Sequence, residues 1–153
     1  MTLALQLTRD KQDAEDLYQE VFMKAYKAIG SFRLESEFFT WLYRITVNSF
    51  YDLQRKASRI QKQESLAPEK DSTHDIADDS IPSAEKEEIQ HAVTNALNQL
   101  PTQQKTAFVM KHYEGLKIRE IATIMNLSDG TVKRYLFRAI EKLRPMLKEY
   151  RYA

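Results

Sequence analysis

The sequence contains no cysteine and only three glycines, four prolines and three histidines. Without cysteine there is no disulfide, no thiolate nucleophile and no thiolate-ligated zinc or iron–sulfur site. The histidines His74, His91 and His112 are too far apart in sequence to form a metal-binding pair on one helix. No apolar run approaches the roughly 18 to 20 residues that a membrane-spanning helix needs. We therefore expect a cytoplasmic chain that is not inserted in a membrane and uses no metal or other cofactor.

Catalytic patterns are also missing. The sequence has no glycine-rich phosphate-binding loop, no helical histidine pair and no serine in a strand-to-helix elbow. An enzyme would require a constellation that these patterns do not describe. We therefore expect a protein without enzymatic activity.

The formal net charge of +1 hides a strong segregation of charge along the chain. Residues 64–90 hold nine acidic residues and two lysines, whereas residues 101–153 hold eleven basic residues and five acidic ones. A basic terminal segment beside an acidic middle segment favours a polyanion-binding domain next to a solvated linker. Solvated lysine-rich helices give the same counts, so charge alone does not decide between these interpretations.

Apolar residues recur at intervals of three, four and seven almost throughout, which predicts an all-α protein with no strands. The predicted helices run from Asp13, as candidate cap, to Gly30, from near Ser36 to about Lys56, from Ser83 to Leu100, from Pro101 to near Gly115, from Lys117 to Met125 and from Asp129 to about Lys148. Residues 59–83 are rich in polar and charged residues and are predicted to be a flexible acidic linker. The predicted organisation is two small helical domains, residues 1–58 and 84–153, joined by this linker.

The strongest local pattern is that of a helix-turn-helix between residues 118 and 137. Asn126 suits a left-handed turn, Ser128 is a typical helix cap, and small Ala122 permits close helix packing. The predicted core stripe of the last helix consists of Val132, Leu136, Ala139, Ile140 and Leu143. The second helix of such a motif can enter a major groove. The alternative is an ordinary helical hairpin with a basic solvent face.

At 100° per residue, three side chains of the last helix point away from its apolar stripe, and two more lie on its flank. These candidates for contacts with phosphates and base edges are Lys133, Arg134 and Phe137, with Thr131 and Arg138 on the flank. We predict that they form a duplex-DNA-binding surface.

The predicted helix from Ser36 carries a core stripe of Phe38, Leu42, Ile45 and Leu53, and a second, aromatic stripe of Phe39, Tyr43 and Phe50. The side opposite the core stripe carries Thr40, Arg44, Val47, Asn48, Tyr51 and Arg55, with Trp41 at its edge. Aromatic rings interleaved with arginine and asparagine suit single-stranded DNA, because rings stack on unpaired bases. The alternative is that both aromatic stripes pack into the core.

The first predicted helix has an apolar stripe, Ala14, Leu17, Tyr18, Val21, Phe22, Ala25 and Ile29, and a polar face. The polar face carries acidic residues early and basic residues late: Asp13, Asp16, Glu20, Lys24 and Lys27 share it, and Glu15 and Gln19 adjoin it. A solvated helix whose charges follow the helix dipole explains the pattern, and so does a docking surface for a basic partner.

Two segments together resemble the extracytoplasmic-function (ECF) sigma factors of bacterial RNA polymerase. DAEDLYQEVFMKAYKAI (13–29) with SFRLESEFFTWLYRITVN (31–48) resembles the family's region 2, and ALNQLPTQQKTAFVMKHYEGLKIREIATIMNLSDGTVKRYLFRAIEKLR (96–144) resembles region 4. Both segments occur in the family's order and cover most of the chain outside the linker. Family members usually begin with a further helix, whereas twelve residues precede Asp13 here, so the amino terminus is expected to be shortened.

The resemblance implies roles for the candidate residues. It assigns Asp16, Gln19 and Glu20, with Asp13 beside them, to docking on the polymerase clamp helices. It assigns Arg44 and Asn48, with the 31–36 loop that contains Phe32 and Ser36, to opening and reading the minus-10 element; Trp41, Tyr51 and Arg55 share the same helix face. It places Thr131, Lys133, Arg134, Phe137 and Arg138 on the minus-35 recognition helix, and it implies contacts with the polymerase flap and with an anti-sigma factor.

The function predicted from these features is that of a sigma factor, which binds core RNA polymerase, directs it to specific promoters and assists DNA opening. The competing interpretation is an autonomous helix-turn-helix regulator that binds duplex DNA without polymerase. A helical nucleic-acid-processing enzyme is a third alternative without a supporting metal or nucleophile pattern. The aromatic residues of the predicted helix from Ser36 favour the sigma factor, because a simple repressor needs no surface for binding single-stranded DNA.

Overall fold

The computed structural model describes residues 2–33, 37–63 and 84–150, and these residues form helices and turns without any strand. The elements are α1 (Thr2–Thr8), α2 (Lys11–Ala28), a 3-10 turn (Ile29–Ser31), α3 (Phe38–Gln63), α4 (Ala84–Asn98), α5 (Thr102–His112), α6 (Ile118–Met125), α7 (Asp129–Met146) and a second 3-10 turn (Lys148–Tyr150). The chain divides into two compact units, Met1–His74 and Asp75–Ala153. The predicted all-α fold is confirmed.

The first unit consists of α1, α2 and α3, each of which contacts the other two. Its buried apolar side chains are Leu3, Ala4 and Leu7 from α1, Ala14, Leu17 and Val21 from α2, and Val47 and Phe50 from α3. Three of the seven residues in the apolar stripe of the first predicted helix are buried, whereas Tyr18, Phe22 and Ile29 are about half exposed or more. The neighbouring helices α1 and α3 therefore cover only part of this apolar stripe.

The cap of α2 also differs from the prediction. Arg9 takes a left-handed conformation with φ 54° and turns the chain between α1 and α2. Asp10 is the N-cap, and its Oδ1 accepts a hydrogen bond of 2.9 Å from the backbone N–H of Asp13. Asp13 is thus the residue that donates to the cap, and its carboxylate remains available on the helix surface.

The buried arc of α3 is rotated away from the predicted one. Val47, expected opposite the core, is fully buried, as are Ser49 and Phe50, whereas Phe38 is 44% exposed. Leu42, Ile45 and Leu53 are only half-buried. The reason is that α3 contacts both α1 and α2, so the positions of two neighbours fix its buried arc. Apolarity alone could not locate that arc.

The carboxyl end of α3 lies beyond the predicted end near Lys56. The helix continues to Gln63 and includes residues 59–63 of the predicted linker. Residues 54–63 contain no glycine or proline and are rich in lysine, arginine and glutamine, which are good helix formers. The prediction of flexibility for residues 64–83 lies outside the described residues.

The second unit is built around α7, which contacts α4, α5 and α6. One cluster joins Ala96, Leu97 and Leu100 to Ala139 and Leu143. Towards the amino end of α7, Val132 and Leu136 are buried, as are Ile121, Ala122 and Ile124 of α6. Ile140, predicted in the core stripe, is 38% exposed, so that assignment was wrong.

The turn between α6 and α7 follows the predicted helix-turn-helix pattern closely. Asn126 is left-handed with φ 55°, and the N–H of Leu127 donates to the carbonyl of Ala122 at 2.9 Å. Ser128 caps α7 by accepting a 3.2 Å hydrogen bond from the N–H of Thr131. These contacts fix the start of α7 and therefore the direction of its exposed side chains.

Candidate functional site

The first candidate surface, which we call the recognition face, lies on the amino-terminal half of α7. It consists of the predicted residues Thr131, Lys133, Arg134, Phe137 and Arg138. All are exposed except Thr131, which is half-buried, and Phe137 is 64% exposed. The structure therefore brings the five predicted residues together on one helix side, opposite the buried Val132.

Local hydrogen bonds order the start of the recognition face. The hydroxyl oxygens of Ser128 and Thr131 lie 2.9 Å apart, and Nη2 of Arg134 donates to Oγ1 of Thr131 at 3.4 Å. Among the described residues, no carboxylate lies within ion-pair distance of Lys133, Arg134 or Arg138. These three cations are therefore available for phosphates or base edges in a groove wide enough for a helix.

The second candidate surface, which we call the aromatic face, lies on α3 and the turn before it. Phe32, Phe38 and Trp41 form a cluster with ring centroids 5.2 to 5.7 Å apart. Phe39 extends the cluster, with its ring 5.9 Å from that of Phe38, and it is 69% exposed. Such partly exposed rings offer stacking surfaces to unpaired bases.

The polar members of the aromatic face follow along the same helix. Arg44 and Asn48 are exposed, and Tyr51 is half-buried. Arg55, about 20 Å along the helix from Trp41, forms an ion pair with Asp52. The hydrogen bond that Arg55 donates to Asp52 is the main reason that the pKa of Asp52 is lowered. Ser36, also predicted for this surface, lies outside the described residues.

Sequence reasoning missed the contribution of Phe38 and Phe39 to the aromatic face. It placed both rings in apolar stripes, since a helical aromatic pattern gives no indication of where neighbouring helices stop. Phe38 is the first residue of α3, and both rings remain substantially exposed. The position of a helix start relative to its neighbours was the missing information.

The third candidate surface, which we call the acidic face, lies on α2. Asp13, Asp16 and Gln19 are exposed, and Glu20 is partly exposed. Burial, together with the neighbouring Asp10 and Asp16, raises the pKa of Asp13. The concentration of carboxylates on one helix side can attract a basic partner surface.

Met23 is an additional member of the acidic face that sequence reasoning missed. It lies one helical turn after Gln19 and Glu20, and it is 58% exposed. An exposed methionine among carboxylates combines apolar contact area with electrostatic attraction, as protein interfaces commonly do. The position of Met23 on the polar side of α2 was the feature of the sequence that could have indicated its exposure.

Lys24 connects the acidic face to α3. Its Nζ lies 2.7 Å from Oε1 of Glu20 and 3.6 Å from Oδ2 of Asp52, and it donates to Oγ of Ser49 at 3.1 Å. The hydrogen bond with Glu20 is the main reason that the pKa of Lys24 is raised. Since Ser49 is fully buried, Lys24 also supplies a partner to a hydroxyl that water does not reach.

We predict that Lys24→Met lowers the free energy of unfolding of the first unit by about 1 to 2 kcal/mol, because a buried hydroxyl loses its partner. Urea unfolding followed by the fluorescence of Trp41, the only tryptophan, measures this unit selectively. Lys27→Met, which removes an exposed lysine from the same helix, is the matched control. Equal midpoints for the two variants would contradict the connecting role of Lys24.

An open apolar groove lies on the second unit. Phe108, Ile140, Leu143 and Leu147 supply its apolar walls, and Arg144, Pro145 and Lys148 complete the lining. Exposed apolar surface with a basic rim can receive apolar side chains from a protein partner. The partial exposure of Ile140 is explained by its position in this groove.

The described ranges, 2–33, 37–63 and 84–150, contain no cluster of three or more metal-ligating His, Asp or Glu side chains. Within the same ranges, no helix is long and apolar enough to span a membrane.

Several known proteins are similar to this chain. RNA polymerase sigma-H factor of Pseudomonas aeruginosa is 36% identical over 157 residues, covering 96% of this chain and 81% of that protein. ECF RNA polymerase sigma-E factor of Haemophilus influenzae is 37% identical over 153 residues, covering 92% of this chain and 81% of that protein.

Solved structures are similar as well. The sigma factor RpoE of Bartonella quintana, in complex with the anti-sigma factor NepR, matches with a TM-score of 0.78 and 28% identity, covering 96% of this chain and 88% of that one. CnrH, in complex with the cytosolic domain of CnrY, matches with a TM-score of 0.66 at 23% identity, covering 96% of this chain and 79% of that one, and shares the fold.

The fold is that of a two-unit helical protein with a helix-turn-helix in its second unit. Residues 1–60 match the family model described as Sigma-70 region 2, and residues 90–143 match that described as Sigma-70, region 4. The chain belongs to the ECF sigma factor family. It directs core RNA polymerase to promoters, and this function is favoured over that of an autonomous regulator. The family consists of non-enzymatic initiation factors.

Proposed function

We propose that the three surfaces divide the work of promoter recognition. The acidic face docks on the clamp helices of core polymerase, the aromatic face opens and reads the minus-10 element, and the recognition face reads the minus-35 element. The observation that carries this proposal is the pairing of an exposed cationic recognition helix with a separate cluster of Phe32, Phe38 and Trp41. The first suits duplex DNA and the second suits unpaired bases.

We propose that these roles are divided between two domains of the chain. Residues 1–58 form the docking and minus-10 domain, residues 84–153 form the minus-35 domain, and residues 59–83 connect them, with α3 entering this connection as far as Gln63. Separate domains can engage two DNA elements at once, which raises the effective concentration of the second contact after the first has formed.

Two further protein contacts belong to this proposal. The apolar groove at Phe108, Ile140 and Leu143 receives the polymerase flap, because its apolar walls and basic rim suit an apolar segment with acidic residues. An anti-sigma factor is a second partner, since RpoE of Bartonella quintana, which has a similar fold, was solved in complex with the anti-sigma factor NepR. The protein has no catalytic activity of its own and works in the cytoplasm, where polymerase and DNA are found.

A promoter selection tests the proposed function. Holoenzyme assembled from the full chain and bacterial core polymerase is incubated with DNA fragments that carry two randomised windows at the minus-10 and minus-35 positions. Enrichment of a defined sequence in both windows is expected, and core polymerase alone should enrich neither. Tight selection of one duplex sequence by the chain without polymerase would favour an autonomous regulator instead.

We predict that Arg134→Ala weakens holoenzyme binding to the selected upstream sequence by about 1 to 3 kcal/mol, because a base or phosphate contact is lost. The fold should persist, since the Arg134 side chain is exposed. Lys142→Ala, which removes one exposed cation about two turns further along α7, controls for net charge. Equal losses for the two variants, or unfolding of the second unit, would show that Arg134 has no specific DNA contact.

A further inference from the structure

One contact beside the recognition face has no role in the functions described above. The hydroxyl of Tyr135, on α7, donates a 2.6 Å hydrogen bond to Oε1 of Gln103, in the first turn of α5. The two residues are 32 positions apart in sequence, so this bond connects two helices of the second unit. Its length is at the short end of the usual range for O–H···O bonds, so the two side chains are closely engaged.

The place of Tyr135 on α7 makes this contact relevant to DNA binding. Thr131 lies four residues before it and Arg138 three residues after it, so both are its neighbours on the helix surface. Leu136, the next residue, is buried, whereas Arg134, the preceding one, is exposed. Tyr135, itself half-buried, therefore stands at the boundary between the core side of α7 and the recognition face.

The apolar contacts of α7 hold the helix against α5 and α6 without strict direction. Val132 and Leu136 are buried on α7, and apolar contacts have no preferred direction of their own. A hydrogen bond is directional, so a bond at the edge of the contact adds a restraint on rotation of the helix about its axis. The exposed side chains of α7 turn with the helix, and their reach to base edges depends on that angle.

We propose that Tyr135 and Gln103 are a positioning pair that sets the angle at which the recognition face meets the upstream DNA element. This inference rests on the proposed role of the recognition face. The pair acts through Arg134, Arg138 and their neighbours. Its loss therefore reduces the discrimination between the right and wrong DNA sequences, whereas binding to DNA of any sequence is largely retained.

The test uses Tyr135→Phe, which removes only the hydroxyl, Gln103→Leu, which removes the acceptor, and the double variant. Each is assembled into holoenzyme with core polymerase. The probes are the selected promoter and the same fragment with its upstream window scrambled. The measured quantity is the ratio of the two affinities, which a change in stability alone would not alter.

Each single variant is expected to lower this ratio by about 3- to 10-fold, the equivalent of one hydrogen bond. The double variant should be no worse than either single one, because both remove the same bond. Tyr150→Phe is the matched control. The hydroxyl of Tyr150 donates a 3.4 Å hydrogen bond to Oε1 of Glu88, and neither residue belongs to the recognition face. The control should leave the ratio unchanged.

Three outcomes would overturn the positioning role. An unchanged ratio would mean that the bond is structural only. A loss in Tyr135→Phe that Gln103→Leu does not share would mean that the tyrosine contacts DNA directly. If the wild-type holoenzyme selects no upstream sequence at all, the proposed function fails and the pair has nothing to position. A wild type that selects a sequence, with variants that do not change the ratio, rejects the pair alone.

Discussion

Phe50→Ala is expected to lower the free energy of unfolding of the first unit by about 3 to 5 kcal/mol, because the change removes a large side chain from a packed core. Phe50 is 1% exposed and is the largest fully buried side chain in the described residues. The free energy of unfolding of a small domain is commonly about 5 to 15 kcal/mol, so this change removes a large part of the stability of the unit. Urea unfolding followed by Trp41 fluorescence measures the change.

Phe39→Ala is the matched control for this experiment. Phe39 lies on the same helix and carries the same side chain, and the sequence pattern placed it in one stripe with Phe50, yet it is 69% exposed. Its removal should change the free energy of unfolding by no more than about 0.5 kcal/mol. Comparable losses for the two variants would mean that the buried arc of α3 is wrongly assigned.

The helix-turn-helix could be predicted from sequence because its determinants are local. Asn126 and Ser128 act through backbone conformation and hydrogen bonds within three to five residues. Val132, Leu136 and Ala139 repeat with helical spacing on a helix that is buried along one side. The exposed positions of Lys133, Arg134 and Arg138 then follow from geometry.

The buried arc of α3 could not be predicted in the same way. Apolar residues occur on several sides of this helix, and the sequence does not show which of them face α1 and α2. Thr46 and Ser49 are buried although they are polar, and the hydroxyl of Ser49 accepts a hydrogen bond from Lys24 on another helix. Contacts between distant residues, including that of Tyr135 with Gln103, leave no local pattern to detect.

The role of the acidic face could not be predicted from the sequence either. Its charges could be identified from sequence, but a solvated helix and a docking surface have the same pattern. The structure adds two features: Met23 is exposed among the carboxylates, and Lys24 already binds Glu20 and Asp52. Asp16, for which the described residues offer no such ion pair, is therefore a better test position than Glu20.

The last prediction follows from this choice. Asp16→Lys is expected to weaken binding of the full chain to core polymerase by about 100-fold, because a like charge placed against a basic docking surface costs several kcal/mol. Glu87→Lys is the matched control: it makes the same change of net charge at an exposed residue of α4, in the second unit.

Competition binding with a fluorescently labelled wild-type chain measures both affinities. The effect of Asp16→Lys should shrink as salt is added, because exposed charges are screened. The fold should be retained, since Asp16 is exposed and does not cap α2, a role that Asp10 has. If Asp16→Lys and Glu87→Lys weaken binding equally, only the net charge of the chain matters, and the acidic face is a solvated helix side rather than a docking surface.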